Sequence, residues 1–375
     1  MAGLYIHIPF CSSKCVYCGF YSVANLRGKN SYLKALAQEI ELRKGYLQGE
    51  KIQTLYLGGG TPSLLTLQEL ESILTMLDSS FGLNSVEEFT MEANPEQLTP
   101  DYCRGLRSLG INRLSIGVQS LQDPVLRFMG RRHTAEEALA AIRNAAAASF
   151  DNLSIDLIYG VSERDNAHWR EELKAALALP IRHLSCYALT PEENSILYKQ
   201  IEHQRHAPID DELASEQYRI LLETLPASEL KQYEISNFAV PGYESKHNSS
   251  YWNQTPYIGL GPAAHSFNGQ SRQWNPASLQ QYNRNMANDI DCEGHETLSS
   301  DDIYNETLLL GLRTCRGVDL QQILVRYGET RQKELLDIFQ RKINPDLFQI
   351  KGNRLLLTEA GLWLADGIAQ SAFVV

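Results

Sequence analysis

The sequence contains no uninterrupted run of about 18 apolar residues, so no segment is expected to cross a membrane as a helix. Its first ten residues, MAGLYIHIPF, lack the basic start and long apolar core of a secretory signal peptide. An excess of positive charge is also absent, because the formal net charge is −11. This charge argues against a broad nucleic-acid-binding surface. We therefore expect a cytoplasmic protein that does not bind nucleic acid.

Cysteine is scarce, with seven residues in a chain of 375, and a disulfide framework is not indicated. Three of the seven, Cys11, Cys15 and Cys18, fall within eight positions. This crowding favours metal binding in a reducing compartment. No pairing pattern is evident among the remaining four, which we interpret as buried or incidental residues: Cys103, Cys186, Cys292 and Cys315.

What the chain does contain, in its first half, is a repeated unit of a short β-rich run, a loop and an amphipathic helical stretch. Six such units imply right-handed βαβ connections and a parallel sheet. We predict an α/β fold, a partial six-unit (β/α) barrel rather than a doubly wound sheet. Either fold places its ligands at the C-terminal ends of the strands. The predicted strands are 4–10, 54–60, 87–93, 113–119, 152–158 and 183–189.

The alternation of strands and helices ends after the sixth unit, which suggests that the chain has three regions. Residues 1–235 form the barrel with the candidate site, and residues 236–298 form an aromatic-rich segment that covers it. Residues 299–375 form a small, mainly helical C-terminal domain that begins with a Ser-Asp helix cap. Its short strands among helices are typical of a winged-helix-like module, which we interpret as a packing or partner domain.

The three clustered cysteines have three and then two residues between them. Such a loop can offer three thiolates to three irons of a 4Fe-4S cluster and leave the fourth iron open. A zinc-stabilised, non-enzymatic binding module is the alternative, with His7 or Cys103 as the fourth ligand. Spacing alone leaves both interpretations open.

Polar residues and glycines follow the later strands in chain order. Three glycines end the second strand, the third ends in MEANPE, and the fifth contains an aspartate within the apolar run SIDLIYG. A buried aspartate is costly unless it is paired, and Arg131 is a possible partner for Asp156. Each residue alone could be a turn glycine or a satisfied core polar group. Their positions at successive strand ends favour one shared pocket.

The cysteine loop, with Tyr17 before its third cysteine, resembles the signature of the radical S-adenosylmethionine (SAM) superfamily. The resemblance implies that SAM binds the open iron through its amino and carboxylate groups. It also implies that one electron from the reduced cluster cleaves SAM to a 5′-deoxyadenosyl radical. An electron donor for the cluster is then a necessary partner.

A narrower resemblance extends from about residue 3 to the C-terminus. The runs IHIPFC, YLGGGTPS, MEANPE, SIGVQS, SIDLIYG and CYALTPEENS are similar to those of the oxygen-independent coproporphyrinogen III oxidase-like proteins. That family has a partial six-unit barrel and a small C-terminal domain. By position, Tyr5, Gly59 and Glu92 would contact the cluster-bound SAM. A second SAM site described in the family would be lined by Tyr17, Gly60, Thr61, Gln119, Arg131 and Asp156.

Within this family, three features favour the HemW-type haem chaperones over the oxidases that decarboxylate two propionates of coproporphyrinogen III. Phe20 stands where the oxidase loop has a fourth cysteine, and Cys11 lies only ten residues from Met1. The run HNSSYW matches a motif associated with haem binding in the chaperone branch. Its candidate contacts are His247, as an axial ligand, with Tyr251 and Trp252 as flat surfaces.

The resemblance therefore predicts a haem chaperone with a SAM-chelating 4Fe-4S cluster. It would carry haem as cargo and deliver it to haem-accepting proteins, in the cytoplasm or at a membrane. The alternatives are a coproporphyrinogen oxidase and the zinc-stabilised module. The alternative to haem binding by HNSSYW is an aromatic-rich loop in which His247 makes only structural hydrogen bonds. His265 is a second, weaker ligand candidate.

Overall fold

The structure is a computed structural model, and it describes residues 1–193 and 195–374. Asn194, within the CYALTPEENS run, and the C-terminal Val375 lie outside the described residues. In the described part of the chain, six parallel strands follow one another in both chain order and spatial order. They are β1 (Ala2–Ile8), β2 (Ile52–Gly59), β3 (Glu88–Ala93), β4 (Arg113–Gln119), β5 (Asn152–Tyr159) and β6 (His183–Ala188).

Helices connect successive strands, which confirms the predicted partial six-unit barrel. Threonine caps begin two of them, because Thr66 and Thr134 each form a capping box with a glutamate three residues on. The connecting helices are α1 (Lys29–Arg43), α2 (Leu67–Phe81), α3 (Pro100–Ser108), α4 (Asp123–Phe128), α5 (Ala135–Ala147) and α6 (Asn166–Leu177). Two more follow β6, α7 (Ile196–Glu202) and α8 (Asp211–Thr224).

The two faces of the parallel strands differ in chemistry. On β4, Leu114, Ile116 and Val118 are fully buried and belong to the main apolar core. The alternate residues of this strand point to the opposite face, where Ser115 and Gln119 line a cavity. Branched apolar residues usually fill the interior of a (β/α) barrel. Here the inner face is polar, so the interior is suited to binding a ligand.

Strands within residues 236–298, the segment predicted to cover the barrel, extend its sheet at both edges. Strand β8 (Asn237–Ala239) pairs with β6, and β9 (Tyr257–Leu260) pairs with β1. Pairing at these edges satisfies backbone groups that an incomplete barrel leaves free. Strand β7 (Lys231–Gln232) precedes this segment and pairs with β8. The other elements of the segment are α9 (Lys246–Trp252), β10 (His265–Phe267), β11 (Ser271–Trp274), α10 (Leu279–Met286) and β12 (Gly294–Thr297).

The C-terminal region has an apolar core of its own and a three-stranded antiparallel sheet. Ser299 caps its first helix, as predicted, and forms a capping box with Asp302. The elements are α11 (Ser300–Leu312), β13 (Val318–Asp319), α12 (Leu320–Lys342), β14 (Phe348–Lys351), β15 (Arg354–Leu357), α13 (Glu359–Leu362) and α14 (Ala365–Gln370). Among the described helices, none combines the length and apolar composition needed to span a membrane.

Candidate functional site

A cavity of about 650 Å³ opens at the C-terminal ends of the parallel strands and descends into the barrel. It brings together eleven of the twelve residues predicted for the cluster and for SAM. These are Cys11, Cys15, Tyr17, Cys18, Gly59, Gly60, Thr61, Glu92, Gln119, Arg131 and Asp156. The twelfth, Tyr5, packs inside the barrel against the ring of Tyr56, with ring centroids 6.0 Å apart.

Backbone hydrogen bonds hold the cysteine loop at its base and near its middle. Val23 donates to the Pro9 carbonyl at 2.7 Å, and Cys11 donates to the Val23 carbonyl at 3.0 Å. Val16 donates to the Met129 carbonyl, at the C-terminal end of α4, at 3.1 Å. The loop is therefore fixed above the sheet.

Two of the three thiol sulfurs have polar donors beside them. Thr61 Oγ1 lies 3.5 Å from Cys11 Sγ, and Arg131 Nη1 lies 3.5 Å from Cys15 Sγ. A hydroxyl and a guanidinium at these positions stabilise sulfur that carries negative charge, as cluster-bound thiolates do. The donor set therefore fits a 4Fe-4S cluster held by Cys11, Cys15 and Cys18.

The two residues considered as fourth ligands for zinc are engaged elsewhere. His7 Nε2 lies 2.9 Å from the Tyr21 carbonyl oxygen, and its Nδ1 lies 3.1 Å from the Tyr5 hydroxyl. Cys103 is buried in the apolar core under α3. In the described part of the chain, no three His, Cys, Asp or Glu side chains are arranged around one ion. A cluster does not need that arrangement, because its three thiolates bind three different irons.

The glycines after β2 bring the backbone close to the cysteine loop. A Cβ on Gly60 would lie 2.7 Å from the Phe10 carbonyl oxygen and 3.1 Å from Cys11 Sγ. Gly59 has φ +107°, a conformation that disfavours side chains, and a Cβ there would lie 2.6 Å from the His7 ring. These positions form a narrow cradle whose backbone groups are available to a ligand, which fits SAM bound beside the cluster.

Glu92 lies near the end of β3, in the cavity wall beside this cradle. Tyr56 Oη donates to its Oε1 at 2.8 Å, and the Gly59 backbone N–H donates to its Oε2 at 3.1 Å. Burial raises the pKa of Glu92 to about 7, and the hydrogen bond from Tyr56 opposes this shift. The ionised form of such a carboxylate would be stabilised by an ammonium group in the cavity.

Arg131 and Gln119 form the adjacent wall. Arg131 Nη2 donates to Asn94 Oδ1 at 2.8 Å and to the Gly117 carbonyl at 2.6 Å, which directs the guanidinium across the cavity. Gln119 has φ +68°, a strained value for a residue other than glycine. Strain of this kind is concentrated at ligand-binding sites.

Arg131, the possible partner of Asp156 in the sequence, forms no salt bridge with it, although the charge of Arg131 helps to lower the pKa of Asp156. Asp156 Oδ1 accepts a hydrogen bond from Ser115 Oγ at 3.3 Å, and Ser185 also bonds to this carboxyl. Burial raises the pKa of Asp156, while the hydrogen bonds from Ser185 and Ser115 and the charge of Arg113 oppose the shift. The serines of the neighbouring strands are closer because β4 and β6 flank β5.

Two family models match this chain. The model of the radical SAM superfamily matches residues 5–176, and that of the HemN C-terminal domain matches residues 298–364. "Heme chaperone HemW" of Mycobacterium tuberculosis (strain ATCC 25618 / H37Rv) is 33% identical over 98% of this chain and 94% of that protein. "Heme chaperone HemW" of Bacillus subtilis (strain 168) is 32% identical over 98% of both chains.

The chain belongs to the HemW family of radical SAM proteins. Its fold is also that of coproporphyrinogen III oxidase (HemN) from Escherichia coli, described as a radical SAM enzyme. That likeness has a TM-score of 0.85 and covers 100% of this chain and 90% of the other at 24% identity, so it shows the fold alone. Membership in the radical SAM superfamily implies a 4Fe-4S cluster and SAM, which together supply a 5′-deoxyadenosyl radical when bound.

The HNSSYW run of this HemW family member lies at the other end of the barrel, in α9. His247 is 1% exposed, with its Nδ1 2.8 Å from Thr54 Oγ1 and its Nε2 2.8 Å from the Tyr251 hydroxyl. Burial lowers the pKa of His247 to about 3, so the imidazole is neutral. Trp252 packs edge-on against Tyr233. The structure therefore does not present His247 as an exposed ligand, and haem contact at these residues stays a proposal.

Sequence reasoning missed several residues that shape the cavity. Tyr56 binds Glu92 and Asn94 binds Arg131, while Arg113, Ser115 and Asn248 line the wall or floor. A usable signal was present in RLSIGVQ, where polar residues and glycine alternate with Leu, Ile and Val. In a parallel barrel such alternation marks an inner face that is polar.

The shifted pKa of Glu92 makes a testable prediction about stability. The folded value of about 7 lies above the ordinary value of 4.5, so the folded protein retains a proton that the unfolded chain releases. The contribution of Glu92 to the free energy of unfolding should then fall by about 2–3 kcal/mol as the pH rises from 4.5 to 7. Denaturant unfolding of Glu92→Gln, measured anaerobically without SAM, should lack this decrease.

The matched control for this experiment is Glu136→Gln, which alters an exposed glutamate on α5. It should keep the wild-type dependence on pH. Equal slopes for wild type and Glu92→Gln would contradict the assignment of the shifted proton to Glu92.

Proposed function

We propose that this protein is a radical SAM haem chaperone, which binds haem and transfers it to haem proteins. The observation that carries the proposal is the similarity, over nearly the whole chain, to proteins named heme chaperone HemW. The cavity supports the radical SAM part, because it combines the cysteine loop, the glycine cradle and the Glu92 wall. Haem is cargo in this proposal, whereas the cluster and SAM are cofactors.

The oxidase is the alternative, and one residue at the mouth of the cavity argues against it. Phe20 occupies the position of the fourth cysteine in the oxidase loop, and its side chain is 71% exposed. Phenylalanine supplies neither a metal ligand nor a proton there. Its exposed ring instead gives the rim an apolar surface suited to a flat macrocycle or to a partner protein.

The exposed part of the cysteine loop suggests where a partner protein binds. Lys14, Gly19 and Phe20 are exposed on the cysteine loop, so we propose this loop as the docking surface of the electron donor. We propose that the haem recipients are haem-accepting proteins, either soluble or membrane-associated. We also propose that the protein does not bind nucleic acid, because its net charge is −11. Cysteines that bind metal and do not form disulfides suit a reducing compartment, which supports the cytoplasm as the location.

The oxidase and the chaperone are separated by one pair of measurements on anaerobically reconstituted protein. Haem added to the chaperone should give a Soret band that saturates with increasing haem. Reduced protein with SAM should not convert coproporphyrinogen III to protoporphyrinogen IX. Robust turnover of coproporphyrinogen III would remove the chaperone assignment, as would haem that fails to bind.

Haem ligation by His247 has its own test, because the structure shows this residue in two hydrogen bonds. His247→Ala should abolish most of the Soret band, while Tyr251→Phe, which frees Nε2 and keeps the imidazole, should bind haem at least as tightly as wild type. Loss of a buried hydrogen-bond partner costs about 1–3 kcal/mol, so melting temperatures must accompany both titrations.

The control for that pair is His265→Ala, which tests the second histidine candidate at an exposed position on β10. It should leave the Soret band unchanged if His247 is the ligand. If His247→Ala and Tyr251→Phe lose haem in proportion to their lost stability, His247 has a structural role alone.

A further inference from the structure

Arg113 is the lowest inward-facing residue of β4. It pairs in register with Thr90 on β3 and Asn152 on β5, and its side chain is 1% exposed. It nevertheless lines the cavity, together with Ser115 above it on the same strand and Asn248 of α9. A guanidinium therefore lies at the bottom of the space that opens at the cluster.

Among the described residues, no ion pair involves the Arg113 guanidinium, and its buried Nε, like those of Arg43 and Arg164, has no hydrogen-bond partner. The other fully buried arginines are paired: Arg43 with Glu39 at 3.3 Å and Arg164 with Glu172 at 2.5 Å. A buried cation without a partner is costly, and proteins rarely keep one without a function.

Two buried polar groups beside Arg113 also lack hydrogen-bond partners. Thr90 Oγ1 and Asn152 Oδ1, its two neighbours in register, are buried without hydrogen-bond partners among the described residues. Glu92 lies one inward position higher and Asp156 two, and the charge of Arg113 opposes the rise that burial causes in the pKa of both. Their hydrogen bonds go to other residues, Tyr56 for Glu92 and Ser115 for Asp156. The bottom of the cavity thus has unused hydrogen-bonding capacity centred on one positive charge.

We propose that Arg113 binds a carboxylate group of a ligand that lies in this cavity. A planar guanidinium with free donors matches a carboxylate in shape and charge. Arg113 and Gln119 are six residues apart on one strand, about 20 Å along its axis. In a SAM molecule chelated to the cluster the carboxylate is bound to iron near the Gln119 end of the strand, so the group that Arg113 binds belongs to a second molecule.

This inference rests on the proposed function if the ligand is the tetrapyrrole cargo, and it is independent of that function if the ligand is SAM. The carboxylate is either a propionate of the tetrapyrrole cargo or the amino-acid carboxylate of a second SAM. Both have the same chemistry at Arg113, and analogues that lack the carboxylate distinguish them. For haem the analogue is its dimethyl ester, and for SAM it is decarboxylated SAM.

The experiment uses reconstituted protein and Arg113→Gln, with Arg113→Lys to retain the charge and Arg132→Gln as an exposed matched control. Haem and haem dimethyl ester are titrated by the Soret band. The second equivalents of SAM and of decarboxylated SAM are titrated by calorimetry. Arg113→Gln should weaken binding of one carboxylate ligand about ten- to hundredfold and leave its analogue unaffected. Arg113→Lys should recover part of the affinity, and Arg132→Gln should match wild type.

The outcomes separate the inference from the proposed function. Failure of the wild type to bind haem overturns the proposed function, and the SAM titration alone then decides the role of Arg113. Haem that binds wild type and Arg113→Gln equally, with equal binding of SAM as well, overturns the inference and leaves the chaperone intact. Circular dichroism and melting curves of Arg113→Gln and Arg113→Lys exclude misfolding as the cause of a loss.

Discussion

Cys15→Ser will leave the protein without a stable 4Fe-4S cluster. A cluster held by three thiolates loses a third of its protein ligands in this variant, and serine is a poor ligand for iron. Iron and sulfide, each about four per chain in reconstituted wild type, should fall below about one. The brown visible absorption and the cleavage of SAM to 5′-deoxyadenosine should disappear with them.

The matched control is Cys315→Ser, since Cys315 is exposed and lies in the C-terminal region. It should assemble a full cluster and cleave SAM like wild type. Stoichiometric zinc in wild type, with little iron after anaerobic reconstitution, would contradict the cluster and restore the zinc-stabilised module. Haem binding by Cys15→Ser is informative as well, because it shows whether haem needs the cluster.

Gly60→Ala should weaken SAM binding about ten- to hundredfold. The new Cβ would lie 2.7 Å from the Phe10 carbonyl oxygen and 2.9 Å from the Ile8 carbonyl oxygen, so β1 and the cysteine loop must separate from the glycine cradle. Overpacking of this kind costs about 1–3 kcal/mol, which corresponds to the stated change in affinity. Equilibrium binding of SAM to reconstituted protein measures it.

Gly45→Ala provides the comparison, because Gly45 is exposed and a Cβ there meets nothing within 4 Å. Its affinity for SAM should equal that of wild type. The iron content of both variants must be measured, since displacement of Cys11 could also reduce cluster assembly. Unchanged SAM binding by Gly60→Ala with a full cluster would refute the role of the cradle.

The cluster loop and the HNSSYW helix lie at opposite ends of one barrel. Cys11 follows the end of β1, whereas His247 bonds to Thr54 near the start of β2. Between them, the Tyr5 ring packs 6.4 Å from the His247 ring and 6.0 Å from the Tyr56 ring. Tyr56 in turn bonds to Glu92 in the cavity wall. A continuous packed network therefore connects the haem candidate with the SAM site.

Much of the protein could be predicted from local sequence. The spacing of Cys11, Cys15 and Cys18 determines that one loop offers three thiolates, because the ligands lie within eight consecutive residues. Alternating strands and helices determined the six-unit barrel, since βαβ connections have one hand and place successive strands side by side. The glycines after β2 and the polar residues at later strand ends located the pocket.

Only the tertiary structure decided the partners of buried groups, because those contacts join residues that are far apart in the chain. Asp156 is bound by serines of neighbouring strands rather than by Arg131. His247 is buried and lies 2.8 Å from Thr54, 193 positions away, a contact that the sequence could not show when it offered both a haem ligand and a structurally hydrogen-bonded histidine. Arg113, hidden in an ordinary strand sequence, is left at the cavity floor without a partner among the described residues. Periodicity shows which face of a strand a side chain occupies, whereas the register of adjacent strands decides what it meets there.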